Sequence, residues 1–357
     1  MELDFADVLI EVMEMGASDL HLTAGSPPMV RKRGGLTPLE YPNLTPQSVR
    51  EVIYSILTND QRQKLETDWQ IDLAYSIPGR ARFRVNAFFQ RASLGAAFRL
   101  IPQDMPALDD LGMPPVLRDF VKKPRGFVLV TGPTGSGKST TLAAMIDLIN
   151  DTRQEHIMTI EDPIEFLHRH KKCIVNQREI GADAKTFAAA LKGALRQDPD
   201  VILVGEMRDL DTISTALTAA ETGHLVFATL HTQDTAQTVD RIVDVFPPTQ
   251  QQQVRVQLSV ALQGIVTQQL LPTADGQGRT VAAEILVPTA AVRNLIREGK
   301  THQIYSTLQT GGSHGMQTMD ASLADLVRRG LISRDLAEAR SGSPDELRRL
   351  MGTVRVA

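Results

Sequence analysis

The chain has 357 residues, of which 42% are hydrophobic and 22% are charged, and its formal net charge is −4. This length predicts roughly two domains, and the small net charge excludes a general electrostatic attraction to nucleic acid or to an anionic membrane. The single cysteine, Cys173, excludes an internal disulfide framework and a cysteine-based zinc site. No apolar run approaches the roughly 20 residues that span a bilayer, and the N-terminus lacks a signal-peptide pattern. We therefore expect a cytoplasmic protein.

The first hundred residues predict a small α+β domain over residues 1–101. Apolar residues at helical spacing predict a helix over 1–15, and residues 46–66 also have a helical pattern. Around Phe83–Phe89 apolar and polar residues alternate, which predicts a half-buried strand. A turn at Ser93–Gly95 would then lead into a second strand.

A proline-rich segment, residues 102–115, is the predicted linker. Beyond it, strand and helix patterns alternate, which predicts an α/β domain over 116–357 with a mostly parallel sheet covered by helices. The predicted strands are 127–131, 157–161, 201–205 and 225–230, and the predicted helices are 139–149, 185–196, 211–221 and 249–265. From about residue 288 onwards the pattern predicts several short helices.

Residues 132–140, GPTGSGKST, match the phosphate-binding loop pattern G-x-x-x-x-G-K-[ST]. They follow the apolar run Phe127–Val130 and precede a helical stretch, which is the strand–loop–helix context that this P-loop motif requires. Its glycines let backbone N–H groups point at phosphate oxygens, Lys138 can reach the β- and γ-phosphates, and the Ser139 hydroxyl can bind Mg²⁺. We therefore predict a nucleoside triphosphate site. Its candidate residues are Gly132, Pro133, Thr134, Gly135, Ser136, Gly137, Lys138, Ser139 and Thr140.

Acidic residues follow two strands of the same predicted sheet. Glu206 comes directly after the strand 201–205, where a carboxylate can hold Mg²⁺ through water or polarise the attacking water. Glu161 and Glu165 lie in the segment TIEDPIE at the end of another strand, and either can orient or deprotonate that water. Ligands of open α/β sheets bind at the carboxyl ends of the strands, which favours these roles over a solvated acidic loop.

Histidines and arginines complete the candidate residues. His224 and His231 flank a predicted strand, and His231, at its carboxyl end, can hydrogen-bond a phosphate or the acidic residues. Arg82 and Arg84 share one face of a strand, and Arg99 lies on the next. Phosphoryl transfer needs positive charge, often from a neighbouring subunit. From periodicity alone, solvated charges on an open sheet face are an equally good interpretation of the arginines.

These motifs resemble, nearly end to end, the secretion-superfamily ATPases of bacteria, and within them the type IV pilus retraction ATPases. The motifs that carry the resemblance, in family order, are ASDLHL at 17–22, the P-loop, an Asp box TIEDPIEF at 159–166, a Walker B region GEMRD at 205–209 and a His box TGHLVFATLHT at 222–232. The segment AVRNLIR at 291–297 is similar to a motif of the retraction members, with Val292 where that motif has isoleucine. Assembly-type relatives usually carry a four-cysteine zinc module, which this chain cannot form.

The resemblance implies a PAS-like α+β domain, then a RecA-like P-loop ATPase domain with a C-terminal helical portion over 288–357. It implies a homohexameric ring that binds ATP and Mg²⁺, without zinc or nucleic acid. The implied partners are an inner-membrane platform protein, PilC-like, and indirectly the pilin fibre, at the inner face of the cytoplasmic membrane. The implied catalytic residues are Glu161, Glu165, Glu206, His231, Arg82, Arg84 and Arg99, with His224 at the nucleotide and Ser139 and Glu206 at the metal.

Two other functions stay open on the sequence. The chain can be an assembly or secretion ATPase with the same fold, since the direction of mechanical work is not visible in residues. It can also be a regulator that binds ATP with negligible turnover, although the intact Lys138, Ser139, Glu161 and Glu206 argue against that function.

Overall fold

The computed structural model describes residues 5–32, 35–78, 80–102 and 105–352. The chain divides into two compact units, one of residues 1–104 with 165–167, the other of residues 105–164 with 168–357. This division falls inside the predicted linker, of which residues 103 and 104 lie outside the described part. Leu108 is buried in the core of the second unit, so the later part of the predicted linker belongs to that unit.

The first unit is built on a six-stranded antiparallel sheet. Its strands are β1 (Asp19–Thr23), β2 (Met29–Lys32), β3 (Gly35–Pro38), β4 (Gln70–Ile77), β5 (Ala81–Gln90) and β6 (Ser93–Ile101). They are ordered β3-β2-β1-β6-β5-β4. The helices are α1 (Phe5–Glu14), α2 (Pro46–Ile56) and α3 (Asn59–Asp68). Apolar residues of α1 and α2 share one core with alternate residues of the central strands, which leaves the polar strand residues on the other face.

The helical pattern at 46–66 is confirmed, and it forms two helices, because Thr58 caps a new helix and Gln61 returns a hydrogen bond to the Thr58 backbone. One local prediction in this unit was wrong. The hairpin turn lies at Arg91–Ala92, before the predicted position, with Gln90 paired to Ser93. Both turn residues have positive φ, of 46° and 58°, a conformation that usually selects glycine or asparagine. Arginine and alanine occupy these positions, so the sequence gave no indication of a turn there.

The second unit contains a seven-stranded sheet whose strands are parallel except at one edge. The strands are β7 (Gly126–Thr131), β8 (His156–Glu161), β9 (Ile174–Glu179), β10 (Val201–Val204), β11 (Leu225–Leu230), β12 (Leu262–Pro272) and β13 (Arg279–Leu286). They are ordered β13-β12-β7-β11-β10-β8-β9, and β13 is the antiparallel edge strand. The four predicted strands are therefore confirmed to within one residue at each end, whereas β9, β12 and β13 were not predicted.

Helices cover both faces of this sheet. They are α4 (Leu117–Val121), α5 (Lys138–Thr152), α6 (Phe187–Ala194), α7 (Leu210–Glu221), α8 (Thr235–Asp244), α9 (Pro248–Ala261), α10 (Ala290–Arg297), α11 (Ile304–Thr310), α12 (Met319–Arg328), α13 (Arg334–Arg340) and α14 (Pro344–Met351). Successive β7 residues enter two different cores, Phe127 with α6 to α10 and Val128 with α4 and α5. None of the helices in the described ranges has the length and apolar content needed to cross a bilayer.

The predicted helix 249–265 was wrong at its end, because the chain changes from helix to strand after Ala261. Arg293 of α10 donates hydrogen bonds to the carbonyls of Ser259, Val260 and Leu262, and so caps the end of α9. The Arg293 guanidinium thus turns towards the end of α9. The following Gly264 lies against the Phe120 ring, where a Cβ would be 2.4 Å from a ring carbon.

The single cysteine is structural. Cys173 is buried, and its thiol donates to the carbonyl oxygen of Arg153 at 3.1 Å. Burial raises the pKa of this thiol, and the neighbouring Lys171 pairs with Asp147 and Asp151 instead of activating it. A reactive thiolate is therefore not supported.

Candidate functional site

The P-loop joins β7 to α5 at the carboxyl edge of the parallel sheet. Gly132 has a φ of 136°, and a Cβ there would lie 2.3 Å from the backbone oxygen of Gln268 on β12. Gly137 has a φ of 88° and immediately precedes Lys138, the first residue of α5. These two positions require glycine, one for space and both for conformation. The loop thus leads the chain into the N-terminus of a 15-residue helix, where backbone N–H groups and the helix dipole favour an anion.

The polar groups of the P-loop are arranged for a phosphate. The Lys138 ammonium donates to the carbonyl oxygens of Gly132 at 2.9 Å and Pro133 at 3.0 Å, so its charge lies inside the curl of the loop. The Ser136 hydroxyl is buried and has no hydrogen-bond partner within the described ranges. A buried donor without an acceptor is costly, and a phosphate oxygen is the kind of acceptor that this position fits.

The remaining loop residues differ in exposure. Pro133, Thr134 and Gly135 are exposed, whereas Ser139 and Thr140 are partly buried in the first turn of α5. Ser139 is the second residue of α5, at the end of the helix that a bound phosphate would face.

Glu206 lies just beyond β10, between a histidine and an arginine. Its Oε1 is 3.0 Å from Nε2 of His231 and 2.6 Å from Nε of Arg208. Burial raises the pKa of Glu206. The hydrogen bond and charge of Arg208, together with His231, lower this pKa by more than burial raises it, so the net shift is downward. The carboxylate is thus ionised and directed by two partners, as a residue that orients water or a metal-bound water must be.

The second acidic candidate, Glu161, ends β8, the strand next to β10. Its Oε1 accepts hydrogen bonds from the Thr159 hydroxyl at 2.6 Å and from Nε2 of Gln177 at 3.2 Å. The backbone beside Glu206 lies close to Glu161, because a Cβ on Gly205 would be 3.2 Å from the Glu161 Cα. Glu161 and Glu206 therefore share one edge of the sheet. Glu165 is exposed in the loop that follows, in the segment 165–167 that is grouped with the first unit.

The two histidines lie at opposite ends of β11. His231 follows the carboxyl end of β11, where Leu230 pairs with Thr131 just before the P-loop. His224 precedes β11, and its ring Nδ1 is 3.0 Å from the Ala219 carbonyl oxygen. The structure therefore places His231 with the P-loop and the acids, but does not bring His224 to the P-loop of the same unit. A whole strand separates His224 from that edge, and its role at the nucleotide stays a prediction.

The three arginines lie together on the polar face of the first unit. Arg84 on β5 is directly opposite Arg99 on β6, and Arg82 is two residues away on the same face of β5. Arg99 donates from Nε to Asp19 at 2.8 Å, and its side chain is 69% exposed. Asp19 thus holds one side of the guanidinium and leaves its other side accessible.

Comparisons with known proteins agree with this geometry. A family model described as type II/IV secretion system protein matches residues 2–338. The chain belongs to this secretion ATPase family. The type IV pilus retraction ATPase PilT of Pseudomonas aeruginosa is 53% identical over 96% of this chain and 99% of its own. A twitching motility protein of Neisseria gonorrhoeae is 52% identical over 90% of this chain and 86% of its own.

A solved structure of a secretion ATPase extends the agreement to the fold. The crystal structure of the pilus retraction motor PilT with bound ADP matches with a TM-score of 0.91 and 52% identity. It covers 98% of this chain and 100% of that one. The similarity therefore includes both units of this family member and the P-loop itself.

Within this secretion ATPase, three polar residues near the site were missed by sequence reasoning. Arg208 is two residues beyond Glu206 and was visible in the GEMRD segment. Glu179 ends β9, is buried, and accepts from the backbone N–H of Ile164, which fixes the loop after Glu161. Gln268 contacts the P-loop from β12. Only tertiary pairing brings the last two to the site, so no local pattern could have indicated them.

A metal ion at this site depends on the nucleotide. Among the residues that the structure describes, no cluster of three or more His, Cys, Asp or Glu side chains could hold an ion. Mg²⁺ in nucleotide sites is held largely by phosphate oxygens and water, with one or two protein oxygens. The Ser139 hydroxyl and the ionised Glu206 carboxylate fit that requirement.

Proposed function

We propose that this chain is an ATP hydrolase that works as a hexameric ring and powers the retraction of a type IV pilus. The observation that carries the proposal is the P-loop, with Lys138 inside its curl, at the same sheet edge as the Glu206–His231 pair. The similarity to PilT over nearly the full length of both chains supports the direction of work.

In this proposal each polar residue has a defined task. Lys138 and the N-terminus of α5 bind the β- and γ-phosphates, and Ser139 is the protein ligand of Mg²⁺, which when bound neutralises phosphate charge. Glu206 holds water beside the γ-phosphate, and His231 and Arg208 keep its carboxylate ionised and oriented. Glu161, at the end of the neighbouring strand, is the better placed of the two candidate bases, since Glu165 is exposed.

The first unit, which we propose to be PAS-like, completes the site in the ring. Arg82, Arg84 and Arg99 would face the γ-phosphate of a neighbouring copy and stabilise its developing charge. The second unit would have the RecA-like arrangement. Hydrolysis would then turn the units about the predicted linker, residues 102–115. We propose that this motion is passed to a platform protein at the inner face of the cytoplasmic membrane, so that pilin subunits leave the base of the fibre.

The test of ATP hydrolysis uses Lys138→Ala and Glu206→Gln, with Glu221→Gln as a matched control. Glu221 ends α7, and its carboxylate accepts a hydrogen bond from the Gln257 amide, away from the P-loop motif. We expect turnover to fall by at least about 100-fold in the first two variants, because the first removes the positive charge on the phosphates and the second removes the carboxylate that holds the water. The control should match the unmodified protein. Turnover that survives in Lys138→Ala would contradict the P-loop assignment.

Oligomeric state and direction of work need separate measurements. Specific activity is measured against protein concentration, with the mass determined at each point, and should rise as a hexamer forms. A monomer that hydrolyses ATP equally fast would contradict a site completed between copies. The gene is then supplied to a piliated strain that lacks its retraction ATPase. The same gene is also supplied to a strain that lacks its assembly ATPase. Recovery of retraction in the first strain supports the proposal, whereas recovery of pilus assembly in the second strain alone would indicate an extrusion motor.

A further inference from the structure

Strand β12 flanks the P-loop strand on the side opposite the acidic residues. It runs parallel to β7, and Thr267 pairs with Thr131, the last residue of β7, with their hydroxyl oxygens 2.7 Å apart. The next residue, Gln268, therefore stands beside Gly132, the first residue of the P-loop. This side of the loop carries none of the motifs that the sequence resemblance rests on.

Gln268 contacts the P-loop with both its backbone and its side chain. Its side-chain Nε2 donates to the carbonyl oxygen of Ser136 at 2.7 Å. A Cβ on Gly132 would lie 2.3 Å from the backbone oxygen of Gln268. A Cβ on Gly137 would lie 3.1 Å from Nε2 of Gln268. The residue is 1% exposed, and its Oε1 has no hydrogen-bond partner within the described ranges.

A buried amide at this position costs free energy that an apolar side chain would avoid. Transfer of an amide out of water is unfavourable unless its polar atoms are paired, and half of this amide is unpaired in the described structure. Packing alone therefore gives no reason for glutamine at residue 268. The hydrogen bond to Ser136 does.

That hydrogen bond fixes more than one atom. The peptide between Ser136 and Gly137 is planar, so the Ser136 carbonyl and the Gly137 N–H point in opposite directions. A donor that holds the carbonyl on the β12 side consequently directs the Gly137 N–H away from β12. Gly137 has a positive φ and no side chain to restrict this peptide, so an outside constraint is needed to hold its direction.

We propose that Gln268 is a positioning residue for the nucleotide. Its amide holds the Ser136–Gly137 peptide so that the Gly137 N–H points at a phosphate of a nucleoside diphosphate or triphosphate. The inference rests on the proposed function, because it assigns a new residue to the same site. Gln268 does not touch the phosphate. It acts through the loop.

The first test compares Gln268→Met with Gln269→Met. Methionine keeps the length of glutamine but donates no hydrogen bond, and Gln269 is the partly buried neighbour on the same strand. ADP affinity is measured by calorimetry, and the melting temperature is measured without nucleotide. We expect ADP binding to weaken by about five- to tenfold in Gln268→Met, the effect of one lost hydrogen bond. The control should keep the unmodified affinity.

A second variant separates positioning from packing. In Gln268→Glu the side chain donates to Ser136 only when it is protonated, so its ADP affinity relative to the unmodified protein should recover as the pH falls from 9 to 5. A purely structural role would lower the melting temperature of Gln268→Met and Gln268→Glu and leave the ADP affinity of the folded proteins unchanged, which would overturn the inference. Unmodified affinity in Gln268→Met would overturn it as well. If the unmodified chain bound no ADP, the proposed function itself would fail.

Discussion

Replacement of Arg293 by methionine should destabilise the second unit by about 2 kcal/mol. Arg293 donates to three carbonyl oxygens, those of Ser259, Val260 at 2.8 Å and Leu262 at 3.0 Å. With a net value of about 1 kcal/mol for each hydrogen bond, the sum is about 3 kcal/mol. Since the side chain is only half-buried, water replaces part of this sum when the guanidinium is removed. Methionine retains the packing of the aliphatic stem, so the loss reports the polar contacts.

The assay is urea unfolding followed by circular dichroism at 222 nm, with Arg297→Met as the matched control. Arg297 is one turn further along α10, and its side chain is exposed. The control should change stability by no more than about 0.5 kcal/mol. The only tryptophan, Trp69, lies in the first unit, so its fluorescence follows that unit separately. Equal losses in the two arginine variants would refute the capping role.

Three further changes follow from the same structure. Gly264→Ala should destabilise by about 1–3 kcal/mol through overlap with Phe120, and Phe120→Leu in the same chain should recover part of it; no recovery on urea unfolding would refute the overlap. Burial lowers the pKa of His168 to about 4, so the unfolded state binds more protons below about pH 6.5. The free energy of unfolding, measured with urea, should therefore fall by about 2 kcal/mol from pH 7 to pH 5, and His168→Leu should remove this dependence on pH. The same dependence on pH in both proteins would contradict this prediction. Because Arg208 lowers the pKa of Glu206, Arg208→Met should move the acid limb of ATP hydrolysis to higher pH, and an unmoved limb would exclude this coupling.

Structure could be predicted best from the sequence where a buried strand also has a clear local pattern. The four strands that lead into the P-loop and the motif segments are short apolar runs that end in polar residues, so both periodicity and position were readable. His231 was expected to hydrogen-bond a phosphate or the acidic residues from its place at the carboxyl end of a strand, and its Nε2 lies 3.0 Å from Oε1 of Glu206. His224 was also expected to flank this strand, and its role at the nucleotide came from the His-box resemblance rather than from its position on the strand.

The sequence predicted least where distant segments decide local structure. The apolar content of 262–265 fits a helix as well as a strand, and the choice depends on Arg293 and Phe120, which are remote in sequence. Gln268 is one of two adjacent glutamines, and the sequence does not distinguish it from Gln269 until β12 is placed beside β7. Tertiary contacts override local propensity at such positions.

The placement of β12 also has a consequence for synthesis of the chain on the ribosome. All the recognisable motifs of the nucleotide site lie between residues 132 and 232, yet β7 pairs on one side with residues 262–267. A growing chain therefore exposes a P-loop strand with an unpaired edge until more than a hundred further residues have been made. Unpaired edges of this kind are prone to aggregation, and long-range parallel pairing is slow. A fragment that ends after the His box would contain every motif of the nucleotide site and still lack the strand that pairs with the other side of β7.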